Sequence, residues 1–349
     1  MTPSVTSAPP TAIGIFGLGQ FGFAMAKILG DKYPKIPIIG YDPVTKYVEF
    51  IQRTKKHPIF HKDVVLSPHV VTTSVQGEVI EKSNFILLAV PGQYFRSMMK
   101  EICPLIHRDV IFLNTAKALE SGTNKNMSEI AAEELANCSH KTWFATLSGG
   151  MIAEEITKNW PIAADVACED ISVARYVADL LQTSYFKLNP SNDVLGVQMA
   201  GSLKNVISIA AGFYDGLGYD VSSKAAFVSE SMREMYHLAL ALGAKHETFD
   251  IGSHAWMGDA LTTAFGKSRN RYFGELIGQG MPVADALEQL ESQHKRAEGY
   301  TTTESFYLLS KKLKLNTPIL DIIYNVLFNG EPVKKAILEF WSHSSQKTV

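Results

Sequence analysis

The sequence predicts an α/β protein: an N-terminal doubly wound, mostly parallel sheet followed by a C-terminal all-helical domain. Three observations predict it. Short β-branched runs alternate with helical periods through the first half of the chain. Those runs are apolar throughout instead of alternating with polar residues, as expected of strands covered on both faces. Beyond Asn189-Pro190 strand-like runs become scarce and long helical patterns take over. The division is therefore placed between residues 190 and 191.

The elements follow in order. "MTPSVTSAPPTA" has no lysine or arginine and no apolar h-region, so it reads as neither a secretory signal nor a mitochondrial presequence. Residues 1–11 are expected to form a disordered tail. "AIGIF" at 12–16 is a strand and 20–29 a helix. Further strands are expected at "IPIIGY" (36–41), "HVVTTS", "FILLAV" (85–90), "DVIFLN" (109–114), "WFATLS" (143–148) and "IAADVA" (162–167). Helical segments between most of them make βαβ units. No repeat or low-complexity tract interrupts the chain. No run approaches the ~18 consecutive apolar residues of a membrane span.

With 46% hydrophobic and 19% charged residues, the 349-residue chain has the composition of a soluble globular protein large enough for two domains. A net charge of −2 without a Lys/Arg block argues against nucleic acid or an anionic membrane as partner. Cys103, Cys138 and Cys168 are odd in number and form no CxxC pair, which points to a reducing compartment, the cytosol by default. His57 and His61 are four apart, but Pro58 and its surroundings read as loop, so no metal site is expected.

"GIFGLGQFGFAMAKIL" places Gly17-x-Gly19-x-x-Gly22, with Gln20 and Phe21 inside it, between the first strand and the first helix. Gly17 permits the tight turn, Gly19 admits a pyrophosphate to the backbone N–H groups, and Gly22 lets helix and strand pack closely. Asp42 ends the next strand, 20 residues after Gly22. A carboxylate there suits the ribose 2′-hydroxyl and favours NAD, with NADP as the alternative. Asp42 also fits a helix N-cap ahead of Pro43, and both roles can hold. Residues 12–190 are thus expected to be a Rossmann-type dinucleotide-binding domain and 191–349 the helical substrate domain.

From Val194 to Tyr214 the only charged residue is Lys204. A buried ammonium needs a partner or loses its proton, so Lys204 is either a structural ion pair or a lysine kept for chemistry. The surrounding "NDVLGVQMAGSLKNVISIAAGFYDGLG" (192–218) resembles the substrate domain of NAD(P)-dependent glycerol-3-phosphate dehydrogenases. "LLAVPGQ" (87–93), "NTAKALE" (114–120), "LSGGMIAEEI" (147–156), "MGDALTTAFGKSRNRYFGELIGQG" (257–280) and "AEGYTTTE" (297–304) are similar to further motifs of that family. The similarity runs over about residues 12 to 330.

The resemblance implies reversible hydride transfer between dihydroxyacetone phosphate and NADH, supplying glycerol 3-phosphate for phospholipid synthesis. Lys204 would be the general acid in reduction and the base in oxidation, with Asn205 beside it on the substrate. Lys117 would touch substrate and cofactor near the reacting carbonyl. Asp259 would hydrogen-bond the catalytic lysine, and Thr263 would complete that network. Ser268, Arg269 and Asn270 would hold the substrate phosphate, Arg269 also lying near the cofactor. Arg296 and Glu298 would lie along the nucleotide, Ala153 on the cofactor and Gly149 on the substrate. A homodimer is compatible with the resemblance.

The chemistry accounts for these residue types independently. Hydride delivery to a ketone builds negative charge on oxygen and requires a proton donor within reach. A water-shielded lysine near a second ammonium has its pKa lowered, and an aspartate orients it while opposing that shift. Arginine's planar fork suits phosphate oxygens. Plainer readings exist for each. Lys204 could be an interdomain ion pair, Arg269 and Arg271 a solvated helix start, and Asp259 a cap for "ALTTAF". His254 and Trp256 read as local packing.

Three positions depart from the family pattern. Met151 stands where Ser, Thr or Asn is usual, and a thioether cannot donate a hydrogen bond. "WMGDA" (256–260) replaces "GLGDL", and "TAF" (263–265) replaces "TCT". Two other functions compete on this basis: a related dehydrogenase of another phosphorylated or carboxylated alcohol, and a non-catalytic NAD(H)-binding regulator.

Overall fold

A computed structural model describes residues 8–293 and 295–344. Eight strands form one sheet: β1 (Ile13–Phe16), β2 (Ile38–Tyr41), β3 (Val70–Thr73), β4 (Phe85–Leu88), β5 (Val110–Asn114), β6 (Thr142–Ser148), β7 (Ile162–Cys168) and β8 (Phe186–Ser191). Their order is β3-β2-β1-β4-β5-β6-β7-β8, with the first strand near the middle and the chain winding outward both ways. All neighbours are parallel except β6 and β7, where Ser148 pairs with Asp165 in antiparallel register. The sheet is the doubly wound, mostly parallel one that the sequence predicts.

The unbroken apolar runs have a direct cause. In β1, β4 and β5, Ile13, Ile15, Phe85, Leu87, Ile111 and Leu113 enter one buried cluster, and Phe16, Ile86, Leu88, Val110 and Phe112 enter another. Alternate side chains thus point to opposite faces and both faces are covered. The helices on this sheet are α1 (Gln20–Lys32), α2 (Thr45–Thr54), α3 (Gln76–Lys82), α4 (Phe95–Ile102), α5 (Met127–Glu134), α6 (Ala153–Thr157) and α7 (Ile171–Leu181).

One strand escaped the sequence reading. β8 contains Asn189-Pro190, where the sequence marks the change of character. Its burial alternates at the start, and Pro190 cannot donate to a ladder, so it lacks the signature of its neighbours. It is an edge strand, where proline is tolerated. Of the segment expected as a tail, residues 1–7 lie outside the described residues. Pro10 is buried, and the N–H of Thr11 donates to Asn84 Oδ1 at 2.8 Å.

The chain divides into two compact units. The first comprises residues up to Ala116 together with Asn126–Gln198; the second comprises Lys117–Lys125 and residues from Met199 onward. The remaining helices are α8 (Val194–Gly216), α9 (Val221–Ala241), α10 (Asp259–Phe265), α11 (Arg269–Gly278), α12 (Val283–Ser292), α13 (Glu298–Lys312), α14 (Pro318–Asn329) and α15 (Val333–Ser344).

By length and composition α8 could cross a membrane, which a search for unbroken apolar runs does not detect because Gln198, Ser202, Lys204, Asn205 and Ser208 interrupt it. Its apolar window is 94% buried within the protein, the mark of a core helix.

Glycines let α8 and α11 touch backbone to backbone. A Cβ at Gly212 would lie 2.0 Å from the Arg271 carbonyl oxygen, and one at Gly216 2.2 Å from that of Glu275. From the other side, Gly274 would meet the Ile209 carbonyl at 2.1 Å and Gly278 that of Phe213 at 2.6 Å. Each helix therefore presents two glycines one turn apart to the other, and no side chain larger than hydrogen fits.

Candidate active site

The first unit carries a cradle at the β1–α1 junction. Gly17 has φ +87°, and a Cβ there would lie 2.5 Å from the Ala89 carbonyl oxygen. At Gly22 a Cβ would lie 1.8 Å from the Gly17 carbonyl oxygen, so helix and turn meet only through glycine. At Gly19, the N-cap of α1, a Cβ would meet nothing within 4 Å, so the backbone there is open to a ligand. No acid stands in the first turn of α1 to compete with an anion.

Asp42, directly after β2, is buried against this turn. Its Oδ2 accepts the Leu18 N–H at 3.0 Å and its Oδ1 the Val44 N–H at 3.0 Å. Asp42 therefore braces the glycine turn and closes the entry to α2, while N-cap geometry falls to Val44. Each carboxylate oxygen keeps a lone pair for a hydroxyl. The turn formed by Gly17, Gly19, Gln20, Phe21 and Gly22, with Asp42 behind it, has features that fit a dinucleotide. The His57 and His61 pair serves the same turn. His57 Nδ1 accepts the N–H groups of Ile59 and Phe60, and His61 Nε2 lies 3.1 Å from the Gln20 carbonyl oxygen. Among the described residues no cluster suited to a metal occurs.

Gly149, Met151 and Ala153 also belong to the first unit. Gly149 follows β6 where a Cβ would lie 2.7 Å from Ala164 Cα. Met151 and Ala153 are partly buried against the same apolar cluster as Phe21.

The second unit assembles the polar residues. Lys204 sits mid-way along α8, and Asp259 opens α10 after a π turn at His254–Gly258. Such turns concentrate at functional sites. Trp256, within that turn, packs on Phe249 with ring centroids 5.0 Å apart, the local packing expected of it. The Asp259 carboxylate is 2% exposed and joins two ammoniums: Oδ2 lies 2.5 Å from Lys117 Nζ and Oδ1 lies 3.3 Å from Lys204 Nζ. Asp259 is thus an ion-pair hub, not merely a helix cap.

Burial brings Lys204 down from its ordinary value to about 8. Asp259 opposes that shift through charge and hydrogen bonding, Lys117 reinforces it, and Glu298 opposes it. Glu298, at the start of α13, therefore acts on the lysine electrostatically.

Beside the lysine an amide relay fixes backbone positions. Asn205 Nδ2 donates to the Lys117 carbonyl at 3.3 Å, Asn270 Nδ2 donates to Asn205 Oδ1 at 2.8 Å, and the Gly299 N–H donates to Asn270 Oδ1 at 2.9 Å. The relay ties α8, α11, α13 and the Lys117–Lys125 loop together around Lys204. Thr263 departs from expectation. Its hydroxyl donates to the Asp259 carbonyl at 2.7 Å, one helical turn back, instead of extending the lysine network.

Ser268 caps α11, its Oγ accepting the Arg271 N–H at 3.4 Å. Arg269 is exposed and has no ion-pair partner among the described residues, and no acid stands in the first turn of α11. Arg296 is exposed just ahead of α13. Sequence reasoning missed Ser208, which is fully buried. Its Oγ donates to the Thr263 carbonyl at 3.1 Å and lies 2.9 Å from Ser268 Oγ. The available signal was its position four residues after Lys204, on the same helix face.

Residues 12–174 match the NAD-dependent glycerol-3-phosphate dehydrogenase N-terminus and residues 193–338 the C-terminus of the same family. A Geobacter sulfurreducens protein named glycerol-3-phosphate dehydrogenase (NAD(P)+) is 34% identical over 332 residues, 94% of this chain and 96% of that one. A Clostridium botulinum protein of the same name is 33% identical over 328 residues, 94% and 96% of the two chains. The crystal structure of glycerol-3-phosphate dehydrogenase from Coxiella burnetii superposes with a TM-score of 0.86 at 25% identity, covering 95% of this chain and 98% of that one. With both halves matched and relatives aligned nearly end to end, the chain belongs to the NAD-dependent glycerol-3-phosphate dehydrogenase family.

Proposed function

We propose that the protein interconverts dihydroxyacetone phosphate and sn-glycerol 3-phosphate with NAD(H). The observation that carries this reading is the buried Lys204, with its lowered pKa, held through Asp259 beside Lys117. The glycine turn would hold the pyrophosphate of the dinucleotide, whose nicotinamide would supply or accept the hydride.

The chain's own residues handle the proton and the charge. In reduction the Lys204 ammonium donates a proton to the carbonyl oxygen as negative charge develops there, ending neutral. In oxidation neutral Lys204 takes the proton from the hydroxyl. A value of about 8 suits both directions near neutral pH. Asp259 holds Lys204 in place, and Lys117 offers a second positive charge to the same oxygen. The substrate phosphate goes to the start of α11, where Arg269 is exposed and unpaired among the described residues and no acid stands in the first turn. Asn205 and Asn270, their amides oriented by the relay, line the path between phosphate and lysine. Gly149 contributes on the substrate side. The resemblance assigns Ala153, Arg296 and Glu298 to the cofactor, and Asp42 would take the ribose hydroxyls.

We place this activity in the cytosol: Cys103 and Cys138, distant in sequence, bring their Sγ atoms within 3.7 Å yet stand as free thiols, which a reducing compartment preserves. The test is a substrate panel read by NADH absorbance. Dihydroxyacetone phosphate should be reduced far faster than dihydroxyacetone or carboxylated ketones, because binding energy from the phosphate positions the carbonyl. Comparable kcat/KM for the first two would remove the phosphate clamp. Tight NADH binding without turnover of any candidate would make the chain a sensor.

A further inference from the structure

Three cations crowd the "KSRNR" segment, Lys267, Arg269 and Arg271, and charge alone does not distinguish them. The structure does. Lys267 and Arg269 are exposed and unpaired among the described residues, whereas Arg271 turns away into a set of contacts of its own. Its Nη1 lies 2.6 Å from Asp215 Oδ2, and its Nε donates to the Gly266 carbonyl at 2.8 Å. The other Asp215 oxygen, Oδ1, is 2.7 Å from Lys224 Nζ, and that ammonium sits 5.0 Å from the centre of the Phe265 ring.

These contacts converge on the turn between α10 and α11. Phe265 is met by Lys224, Gly266 by Arg271, and Ser268 by Ser208 through a 2.9 Å hydroxyl contact. Gly266 accepts no side chain, since a Cβ would lie 2.4 Å from the Thr262 carbonyl oxygen. The turn is thus held at three successive places, and what emerges from it is Ser268, Arg269 and Asn270. Asp215 itself stands at the end of α8, eleven residues beyond Lys204, and its charged partners are Arg271 and Lys224.

We propose that Arg271, Asp215 and Lys224 form a positioning frame for the phosphate-binding turn, and that Arg271 is not itself a phosphate ligand. The proposal rests on the reading that the start of α11 receives the substrate phosphate. A guanidinium bridging a carboxylate and a carbonyl through two different nitrogens fixes their separation, which a lysine at the same place cannot do. Asp215 binds the two cations that hold Phe265 and Gly266, so neutralising it loosens the start of the turn at two adjacent residues together.

Asp215→Asn separates this account from a simple field effect. Removing a negative charge near an anion site raises the local potential and, by charge alone, tightens phosphate binding. The frame predicts the reverse: kcat/KM for dihydroxyacetone phosphate falls about tenfold or more, mostly through KM. NADH affinity and the residual rate on unphosphorylated dihydroxyacetone stay within about twofold. Arg271→Lys keeps the charge and should give a smaller loss, about three- to fivefold, between wild type and Asp215→Asn.

Calorimetry with sn-glycerol 3-phosphate and with glycerol reads binding without turnover, and thermal melting with NADH binding establishes that each variant is folded. If Asp215→Asn does not fold, Arg271→Lys carries the test alone, and wild-type affinity for sn-glycerol 3-phosphate in that variant overturns the frame. Equal or tighter binding of sn-glycerol 3-phosphate by Asp215→Asn overturns it as well. A wild-type protein that binds sn-glycerol 3-phosphate no better than glycerol instead overturns the phosphate reading on which the frame depends.

Discussion

Lys204 Nζ stands 3.3 Å from Asp259 Oδ1, while the other oxygen of the same carboxylate holds Lys117 at 2.5 Å. One buried acid therefore serves two ammoniums, and one of them has its pKa brought down by burial to about 8. On the proposed mechanism, reduction needs that lysine protonated and oxidation needs it neutral. The kcat/KM for reduction of dihydroxyacetone phosphate should fall as pH rises through about 8. The kcat/KM for oxidation of glycerol 3-phosphate should rise through the same value. Rate profiles in both directions check this, and limbs of the same sign would contradict it.

Asp42 supports the glycine turn through Leu18 and faces the expected ribose with its remaining lone pairs. A 2′-phosphate would bring like charge against it, so the unmodified protein should prefer NADH to NADPH. Asp42→Ala should narrow that preference and weaken NADH as well, because the Leu18 N–H loses its acceptor. Dissociation constants from nicotinamide fluorescence measure both effects. Equal use of the two cofactors by the wild type would count against this role.

The glycine contact between α8 and α11 aligns Lys204 with the turn at Ser268. Gly274→Ala would place a methyl 2.1 Å from a backbone carbonyl that has no freedom to move within its helix. The helices must separate, at a cost of about 1–3 kcal/mol or more. Chemical denaturation should register that loss, with a parallel fall in kcat/KM. Gly77→Ala, in a helix where a Cβ meets nothing within 4 Å, is the control and should leave activity unchanged. Wild-type stability in Gly274→Ala would show that the contact is not close-packed.

Glu234, on α9, accepts the N–H groups of Ile319 and Leu320 at the start of α14, at 2.9 and 2.8 Å. Burial nonetheless pushes it up from 4.5 to about 7, against the pull of those two donors. The folded chain then holds the proton more tightly than the unfolded chain. Glu234 contributes stability that is complete below about 4.5 and lost as pH rises through about 7. Relative to Glu234→Gln, the wild type should therefore lose stability across that window. Parallel pH profiles for the two proteins would contradict the shift.

Much of the fold was legible because strands buried on both faces, such as β1, β4 and β5, are apolar without interruption, while β3, an edge strand with Val71 exposed, showed itself by its β-branched residues alone. β8 did not, since an edge strand with Pro190 and an exposed Lys187 carries no such signature. The glycine turn and Asp42 were legible from spacing, and Lys204 from being the sole charge in its stretch. What spacing could not show was how polar groups are already committed. Arg271 looks like Arg269 in sequence but is occupied by Asp215 and Gly266, and the Thr263 hydroxyl turns back along its own helix. Partners that are distant in sequence, such as Lys117 and Asp259, become visible only once the loop and the helix are placed.

The most direct test is the turnover of dihydroxyacetone phosphate by Lys204→Ala, measured with saturating NADH and alongside NADH affinity. If Lys204 moves the proton, turnover falls by roughly 10² to 10⁴ while NADH affinity, carried by the glycine turn in the first unit, is nearly unchanged. Wild-type turnover in a folded Lys204→Ala protein would contradict the account and leave Lys204 as a structural ion pair with Asp259.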